Sequence, residues 1–142
     1  MTMPDQEFYK REIEARAKQL SISVEVMDLG YSQVLRRKLE QKFADSGDKL
    51  FWRRFKDRSG KKDKGGWSKL GSKFEGEAAY FFLERDEDQL FYKVEDGLQL
   101  SYLLAECFQF EVYVTDINLK KLFCFNSFDV MVQAGAKTKI LH

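Results

Sequence analysis

The chain has 142 residues, 44% of them hydrophobic and 15% aromatic, and its formal net charge is +1 at pH 7. This length is typical of one domain with a sizeable core, and the apolar content excludes a chain that is disordered throughout. No stretch approaches about 18 apolar residues, and the N-terminal segment lacks the apolar region of a cleaved signal peptide. We therefore expect a cytoplasmic protein with no membrane-spanning segment; export without a cleaved signal is the alternative.

The first half of the sequence predicts two helices around a short strand. A helical pattern covers about residues 4–19, the alternation of SISVEVM predicts a half-buried strand at 21–27, and a second helix covers about 30–44. Residues 50–55 (LFWRRF) are predicted to form a short strand. Residues 56–66 contain three glycines and no apolar side chain, so we expect an exposed basic loop there.

The second half predicts more strands and one inserted helix. Residues 78–84 (AAYFFLE) are apolar on both faces, as in a central strand, and residues 90–95 return as a hairpin partner. Asp96 and Gln99 have the spacing of a capping box for a helix whose apolar stripe reaches Cys107. Three further strands complete an antiparallel meander: residues 110–116, 122–126 and 130–134.

These elements together predict an α+β fold. We expect a single domain, residues 1–142, with a mostly antiparallel sheet, and with the N-terminal helices and the one inserted helix packed on one face of that sheet.

Charges of opposite sign are segregated along the sequence. Residues 36–73 carry 14 Lys and Arg against five Asp and Glu, whereas residues 75–116 carry 11 Asp and Glu against two Lys and Arg. The two segments either attract each other across the fold and simply solvate its surface, or one of them faces a charged partner.

The sequence offers little material for catalysis. Its only histidine is the last residue, His142, and its two cysteines, Cys107 and Cys124, lie in apolar stretches typical of small buried side chains. The spacing of GKKDKGG does not fit a phosphate-binding loop. Carboxylates cluster at the turn 86–88, but such a turn is more often only solvated. We predict a protein that is not an enzyme and that needs no cofactor or metal ion.

One hypothesis is nucleic-acid binding through the basic and aromatic segment 36–74. Its lysines and arginines would neutralise phosphates, and exposed aromatic side chains would stack on bases. The aromatic residues of this segment are equally compatible with a core role: Phe51, Trp52, Phe55, Trp67 and Phe74.

The hypothesis that we favour is a protein-binding module with an acidic face. An acidic surface suits the basic cleft of a nuclease, because it mimics phosphate charge and accelerates association. The candidate partner-binding residues are Glu84, Asp86, Glu87, Asp88, Glu95, Glu111 and Asp116. The basic loop provides candidate flanking residues: Arg58, Lys61, Lys62, Lys64 and Trp67. The carboxylates at 84–88 are otherwise solvated turn residues, and Trp67 is otherwise a core anchor.

Residues 108–135 (FQFEVYVTDINLKKLFCFNSFDVMVQAG) carry a recognisable pattern of two strands and a polar turn. An F-x-F-E-x-Y-(V/I)-T-(D/N) strand precedes a strand that ends in C-x-N. The matching residues are Phe108, Phe110, Glu111, Tyr113, Thr115, Asp116, Cys124, Asn126, Asp129 and Gly135. The pattern resembles that of small bacterial proteins, many of them classed as immunity proteins of polymorphic toxin systems, including contact-dependent growth inhibition. Ser127 and Phe128 stand where a histidine pair often follows the asparagine in those proteins.

The resemblance implies a cytoplasmic α+β protein that binds and neutralises a cognate toxin. It does not identify the activity of the toxin, although a nuclease suits an acidic surface best.

Overall fold

The computed structural model describes residues 8–47, 51–63, 69–84, 89–104, 111–126 and 130–135 of the chain. Within these ranges the α-helices are α1 (Phe8–Leu20), α2 (Leu29–Phe43) and α3 (Leu100–Leu103). Three 3-10 helices accompany them: η1 (Phe51–Arg54), η2 (Gly71–Phe74) and η3 (Gly97–Gln99). The strands are β1 (Val24–Val26), β2 (Ser59–Lys62), β3 (Ala79–Leu83), β4 (Tyr92–Val94), β5 (Val112–Asp116), β6 (Leu122–Phe125) and β7 (Val130–Gln133). None of the helices in these ranges is long and apolar enough to cross a membrane.

The two long helices each bury one stripe of side chains. Helix α1 buries Ile13 and Ala17, which lie four residues apart. Helix α2 begins after Asp28, whose side chain accepts a hydrogen bond from the amide of Tyr31 at 2.8 Å. Its buried side chains follow helical spacing: Ser32, Leu35, Leu39 and Phe43. The two predicted N-terminal helices are confirmed wherever the structure describes them.

The strands form one antiparallel sheet in the order β1-β4-β3-β5-β6-β7-β2. Strands β3 and β5 lie near its centre, and every residue in both is buried. The predicted hairpin of β3 with β4, the meander of β5, β6 and β7, and the short strand β1 are all confirmed. One row of the register runs through Phe82, Tyr113, Cys124 and Val132.

Each face of the sheet carries its own apolar cluster. The Phe81 face, which also includes Val114 and Phe123, packs against α1, η2 and α3. The Phe82 face, which also includes Tyr113 and Cys124, packs against α2 and η1. The α+β class is thus confirmed, but the helices cover both faces of the sheet and not one. Strands that are apolar on both sides require cover on both sides.

Two local predictions in the basic segment are wrong. The predicted strand at 50–55 contains the 3-10 helix η1, which places the rings of Phe51 and Phe55 in the core of the Phe82 face. The predicted loop at 56–66 contains the edge strand β2, which pairs with β7. All four residues of β2 are exposed, as predicted, so the strand has no apolar alternation that would reveal it.

The inserted helical segment begins after Asp96, as predicted, but the side chain of Asp96 accepts its hydrogen bonds from other amides than the capping box predicts. The side chain of Asp96 accepts hydrogen bonds from the amides of Leu98 at 3.0 Å and of Gly76 at 2.9 Å, where the capping box predicted a bond from Gln99. The chain then forms η3 and the short helix α3 up to Leu103. Cys107, where the predicted helix was to end, lies outside the described residues.

Candidate functional site

Glu111, a predicted partner-binding residue, is used inside the domain. It precedes β5 and is 7% exposed. Its Oε1 accepts a hydrogen bond from the indole Nε1 of Trp52 at 3.0 Å, and its Oε2 accepts one from the hydroxyl of Tyr113 at 3.4 Å. That hydroxyl also accepts a bond from the backbone amide of Trp52 at 3.2 Å. Burial raises the pKa of Tyr113, so its hydroxyl stays protonated as a donor. The three residues join η1 to the sheet.

Asp116 is also used inside the domain. It ends β5, it is 4% exposed, and its Oδ1 accepts hydrogen bonds from the amides of Lys120 at 2.6 Å and Lys121 at 3.0 Å. These bonds close the loop between β5 and β6. The structure therefore corrects the prediction for Glu111 and Asp116: both carboxylates satisfy internal donors and present almost no surface.

The remaining predicted acidic residues do not form one face. Glu84 follows β3 beside Glu111, since its amide donates to the Glu111 carbonyl oxygen at 3.0 Å. Glu95 is exposed and follows β4 at the other end of the sheet, where Asp116 also lies. A strand of five residues separates these ends by about 15 Å. Asp86, Glu87 and Asp88 lie outside the described residues.

Glu84 is half-buried at the base of the β3–β4 hairpin. The amide Nε2 of Gln89 donates to its backbone oxygen at 3.3 Å and to its Oε1 at 3.4 Å. Burial raises the pKa of Glu84, the charge of Arg36 opposes this effect, and the charge of Glu111 adds to it. Its carboxylate thus belongs to a partly desolvated cluster of charges.

Two arginines of the basic segment complete this cluster. The Nε of Arg36 lies 3.0 Å from Oε2 of Glu40, and its Nη1 donates to the side chain of Gln89. The Nη1 of Arg54 lies 3.3 Å from Oε1 of the same Glu40. Both guanidinium groups lie over the ring of Phe51, at 4.2 Å and 5.4 Å from its centre. From the sequence alone, these arginines count as surface charge. In the structure they connect α2, η1 and the β3–β4 hairpin.

An exposed acidic patch lies around Glu95. The amide of Gly97 donates to the carbonyl oxygen of Glu77 at 2.8 Å, and Gly76 donates to Asp96, so the loops before β3 and after β4 are joined. The loop that carries exposed Glu75 and Glu77 therefore adjoins the loop that begins with exposed Glu95. We call these three residues the acidic patch. The sequence analysis missed Glu75 and Glu77 because proximity depends on the pairing of β3 with β4.

The ionisation of Asp96, which lies beside the acidic patch, is affected by two backbone amides. Hydrogen bonds from the amides of Leu98 and Gly76 lower the pKa of Asp96, so it remains charged well into acidic conditions. One carboxylate of the patch is also paired, since Oε2 of Glu77 lies 2.7 Å from Nζ of Lys121.

The predicted flanking residues are spread over both faces of the edge strand. Arg58 donates to the carbonyl oxygen of Arg53 at 2.8 Å. Lys61 is paired in register with Met131, which packs against the Phe81 cluster, and Lys62 with Val130, which packs against the Phe82 cluster. The two adjacent lysines therefore lie on opposite faces. Lys64 and Trp67 lie outside the described residues.

Lys61 lines a groove of about 300 Å³ on the Phe81 face, at the β2 side of the sheet. Two further lysines, Lys69 and Lys73, line it together with Asp63. The other described residues that line it are Ser59, Phe123, Met131 and Gln133. We call this the lysine groove. It unites basic residues that the sequence separates by as many as a dozen positions.

The aromatic residues of the basic segment do not offer a stacking surface where they are described. Phe51 and Phe74 are fully buried, and Phe55 is 5% exposed. Trp52 is half-buried, and its indole N–H bonds to Glu111. These side chains belong to the core, so the stacking half of the nucleic-acid hypothesis is not supported by them.

Cys124 has the structural role that its apolar context predicted. It is fully buried in β6, and burial raises the pKa of its thiol, which disfavours the nucleophilic thiolate. Within the described ranges no three side chains of His, Cys, Asp or Glu come together as metal ligands.

The residues that carry the resemblance to immunity proteins lie mainly in the sheet and its turns. Tyr113, Thr115 and Cys124 are fully buried. Asn126 follows β6, and its Oδ1 accepts a hydrogen bond from the amide of Val130 at 3.2 Å. Gly135 has a positive φ of 73° after β7. Phe108, Phe110 and Asp129 lie outside the described residues.

No protein-family model, no curated protein and no solved structure matches this chain in sequence or structure comparisons.

Proposed function

We propose that the chain is a non-enzymatic binding protein that acts in the cytoplasm as an immunity protein. In this proposal it binds a cognate bacterial toxin, a nuclease in the simplest case, and neutralises it through acidic side chains. The resemblance of residues 108–135 suggests the class of protein. A non-enzymatic role is supported by the presence of a single histidine among the 142 residues and by the burial of Cys124 as a neutral thiol.

The observation that carries the proposal is the acidic patch. Glu75, Glu77 and Glu95 are exposed on adjoining loops that are joined by the bond from the Gly97 amide to the Glu77 carbonyl oxygen and by the bond from the Gly76 amide to the Asp96 side chain. Exposed carboxylates on loops whose backbones are joined suit a basic nuclease cleft, because the loops need little rearrangement on binding and the field of the carboxylates steers the partner. This shifts the expected interface from Glu111 and Asp116 towards the loops around Glu95.

The test begins with a search of the neighbouring genes for a toxin domain and then measures protection of growth when that domain is co-expressed with the chain. We expect the wild-type chain to protect, and the double variant Glu75→Lys/Glu95→Lys to lose protection and binding. The matched control is Glu12→Lys/Glu14→Lys on exposed positions of α1, which changes the net charge equally. Equal loss in both variants, or a pull-down that recovers only RNA, would refute toxin binding through the acidic patch.

Nucleic-acid binding through residues 36–74 is the second candidate. It is favoured by the exposed basic side chains of α2 and the residues after it, which include Arg37, Lys38, Lys42, Lys56 and Arg58. Because the described aromatic residues are not available for stacking, binding would be electrostatic and strongly salt-dependent. A shift of labelled single-stranded RNA at low salt that disappears at high salt would support it, and no shift at low salt would exclude it.

A further inference from the structure

We propose that the lysine groove is a binding site for a phosphate-bearing ligand of the nucleotide class. This inference is independent of toxin binding, since it concerns another part of the molecule and another kind of ligand. It rests on the way in which the fold assembles the groove, on its charge and on its lining.

The groove is built by a long-range pairing. Strand β2 pairs with β7 so that Ser59 lies opposite Gln133, and Lys61 lies opposite Met131. All four side chains line the groove on the Phe81 face. Lys69, which precedes η2, and Lys73, which lies in its last turn, also line the groove. Strand β2 and the segment around η2 therefore both contribute lysines to one concavity.

The charge of the groove favours an anion. Among the described residues, three lysines line it against one carboxylate, that of Asp63, whose Oδ2 lies 2.8 Å from Nζ of Lys69. The ammonium group of Lys73 lies 6.0 Å from the centre of the Phe123 ring, above the floor of the groove. Lysine binds phosphate as a concentrated point charge, so several ammonium groups around one concavity suit a chain of phosphates.

The lining favours a ligand that has a neutral part in addition to its anionic group. The Ser59 hydroxyl and the Gln133 amide are neutral hydrogen-bonding groups, while Met131 and Phe123 give the floor an apolar part. A volume of about 300 Å³ is at the lower end of the range for small-molecule sites. A phosphate chain on the lysines, with a sugar or a base against the floor, uses both parts of the lining.

Adjacent lysines provide a matched pair of variants. Lys61 and Lys62 lie on the same exposed strand and contribute the same charge, but only Lys61 lines the groove. We expect Lys61→Gln to weaken ATP binding by about fivefold and Lys62→Gln by less than about twofold, as measured by isothermal titration of the full chain at low salt. Both positions are exposed, and thermal melts will verify that both variants fold.

Three outcomes of this titration decide the proposal. Loss of ATP affinity that is equal for the two variants would overturn it, because it would indicate a diffuse electrostatic effect. No binding of ATP would also overturn it. A loss specific to Lys61→Gln would support a phosphate site in the groove.

Two further ligands test the source of the phosphate and the role of the floor. Inorganic triphosphate has the phosphate chain without the nucleoside, so we expect it to bind about fivefold more weakly than ATP. Equal affinity would overturn the nucleotide assignment. A short single-stranded oligonucleotide that binds more tightly than ATP, with the same dependence on Lys61, would support phosphate recognition and assign the phosphate to a nucleic-acid strand.

Discussion

Replacement of Glu111 by alanine should destabilise the protein, because the carboxylate connects η1 with the sheet. The substitution removes a charged acceptor from the Trp52 indole at 3.0 Å and from the Tyr113 hydroxyl at 3.4 Å. A hydrogen bond to a charged group contributes about 1.5–3 kcal/mol, and the longer bond contributes less. We expect Glu111→Ala to lower the free energy of unfolding by about 2–4 kcal/mol, which corresponds to a fall in melting temperature of about 6–12 °C.

Two variants show whether this loss depends on the internal hydrogen bonds. Glu111→Gln retains an acceptor for Trp52 without the charge, so we expect a smaller loss of about 1 kcal/mol. Glu95→Ala removes an exposed carboxylate and should change the free energy of unfolding by less than about 0.5 kcal/mol.

The assay is urea denaturation followed by circular dichroism, with thermal melts as a second measurement. A loss for Glu111→Ala as small as that for Glu95→Ala would refute the structural role of Glu111. It would return this residue to the set of candidate interface residues. If the large loss is observed, reduced toxin binding by Glu111 variants must be corrected for their unfolded fraction.

Two further predictions concern backbone packing and pH. Gly97→Ala should lower the free energy of unfolding by at least about 2 kcal/mol, because the added Cβ would lie 2.2 Å from Cβ of Phe74 and 2.7 Å from its carbonyl oxygen. The control is Gly30→Ala, whose Cβ meets nothing closer than 3.5 Å and which should stabilise the first turn of α2 by about 0.5 kcal/mol. Urea denaturation that ranks the two variants the other way round would contradict the packing of η3. Because the pKa of Glu84 is raised on folding, its contribution to stability decreases as the pH rises from the ordinary carboxyl range through the raised pKa. Glu84→Gln should therefore gain stability relative to the wild type between pH 4 and pH 7, and a difference in unfolding free energy that is constant over this range would contradict a raised pKa.

The sequence predicts elements best where the local pattern and the tertiary environment agree. The apolar run of β3 and the helical stripe of α2 are examples, since both indicate burial within a few residues. Strand β2 could not be predicted in this way, because its exposed residues Ser59–Lys62 are strand only through pairing with β7. Local patterns do not encode a partner that is distant in sequence.

Charge counts had a similar limit for the candidate sites. They identify residues 75–116 as acidic, but they do not separate Asp116, whose carboxylate closes a loop, from exposed Glu95. They also do not reveal that Lys69 and Lys73 line a groove with Lys61. These distinctions depend on the strand register and on the position of η2, both of which are set by long-range packing.

The order of strands in the sheet has a consequence for folding during synthesis. The five inner strands of the sheet, in the order β4-β3-β5-β6-β7, all come from residues 79–133. The first half of the chain supplies the two edge strands, β1 and β2. Each edge strand waits for a partner that is made about 70 residues later. On the ribosome, the N-terminal half therefore cannot form its part of the sheet until the C-terminal half has emerged. The lysines of β2 are well suited to this interval, because charged side chains discourage an unpaired strand from joining a neighbouring chain.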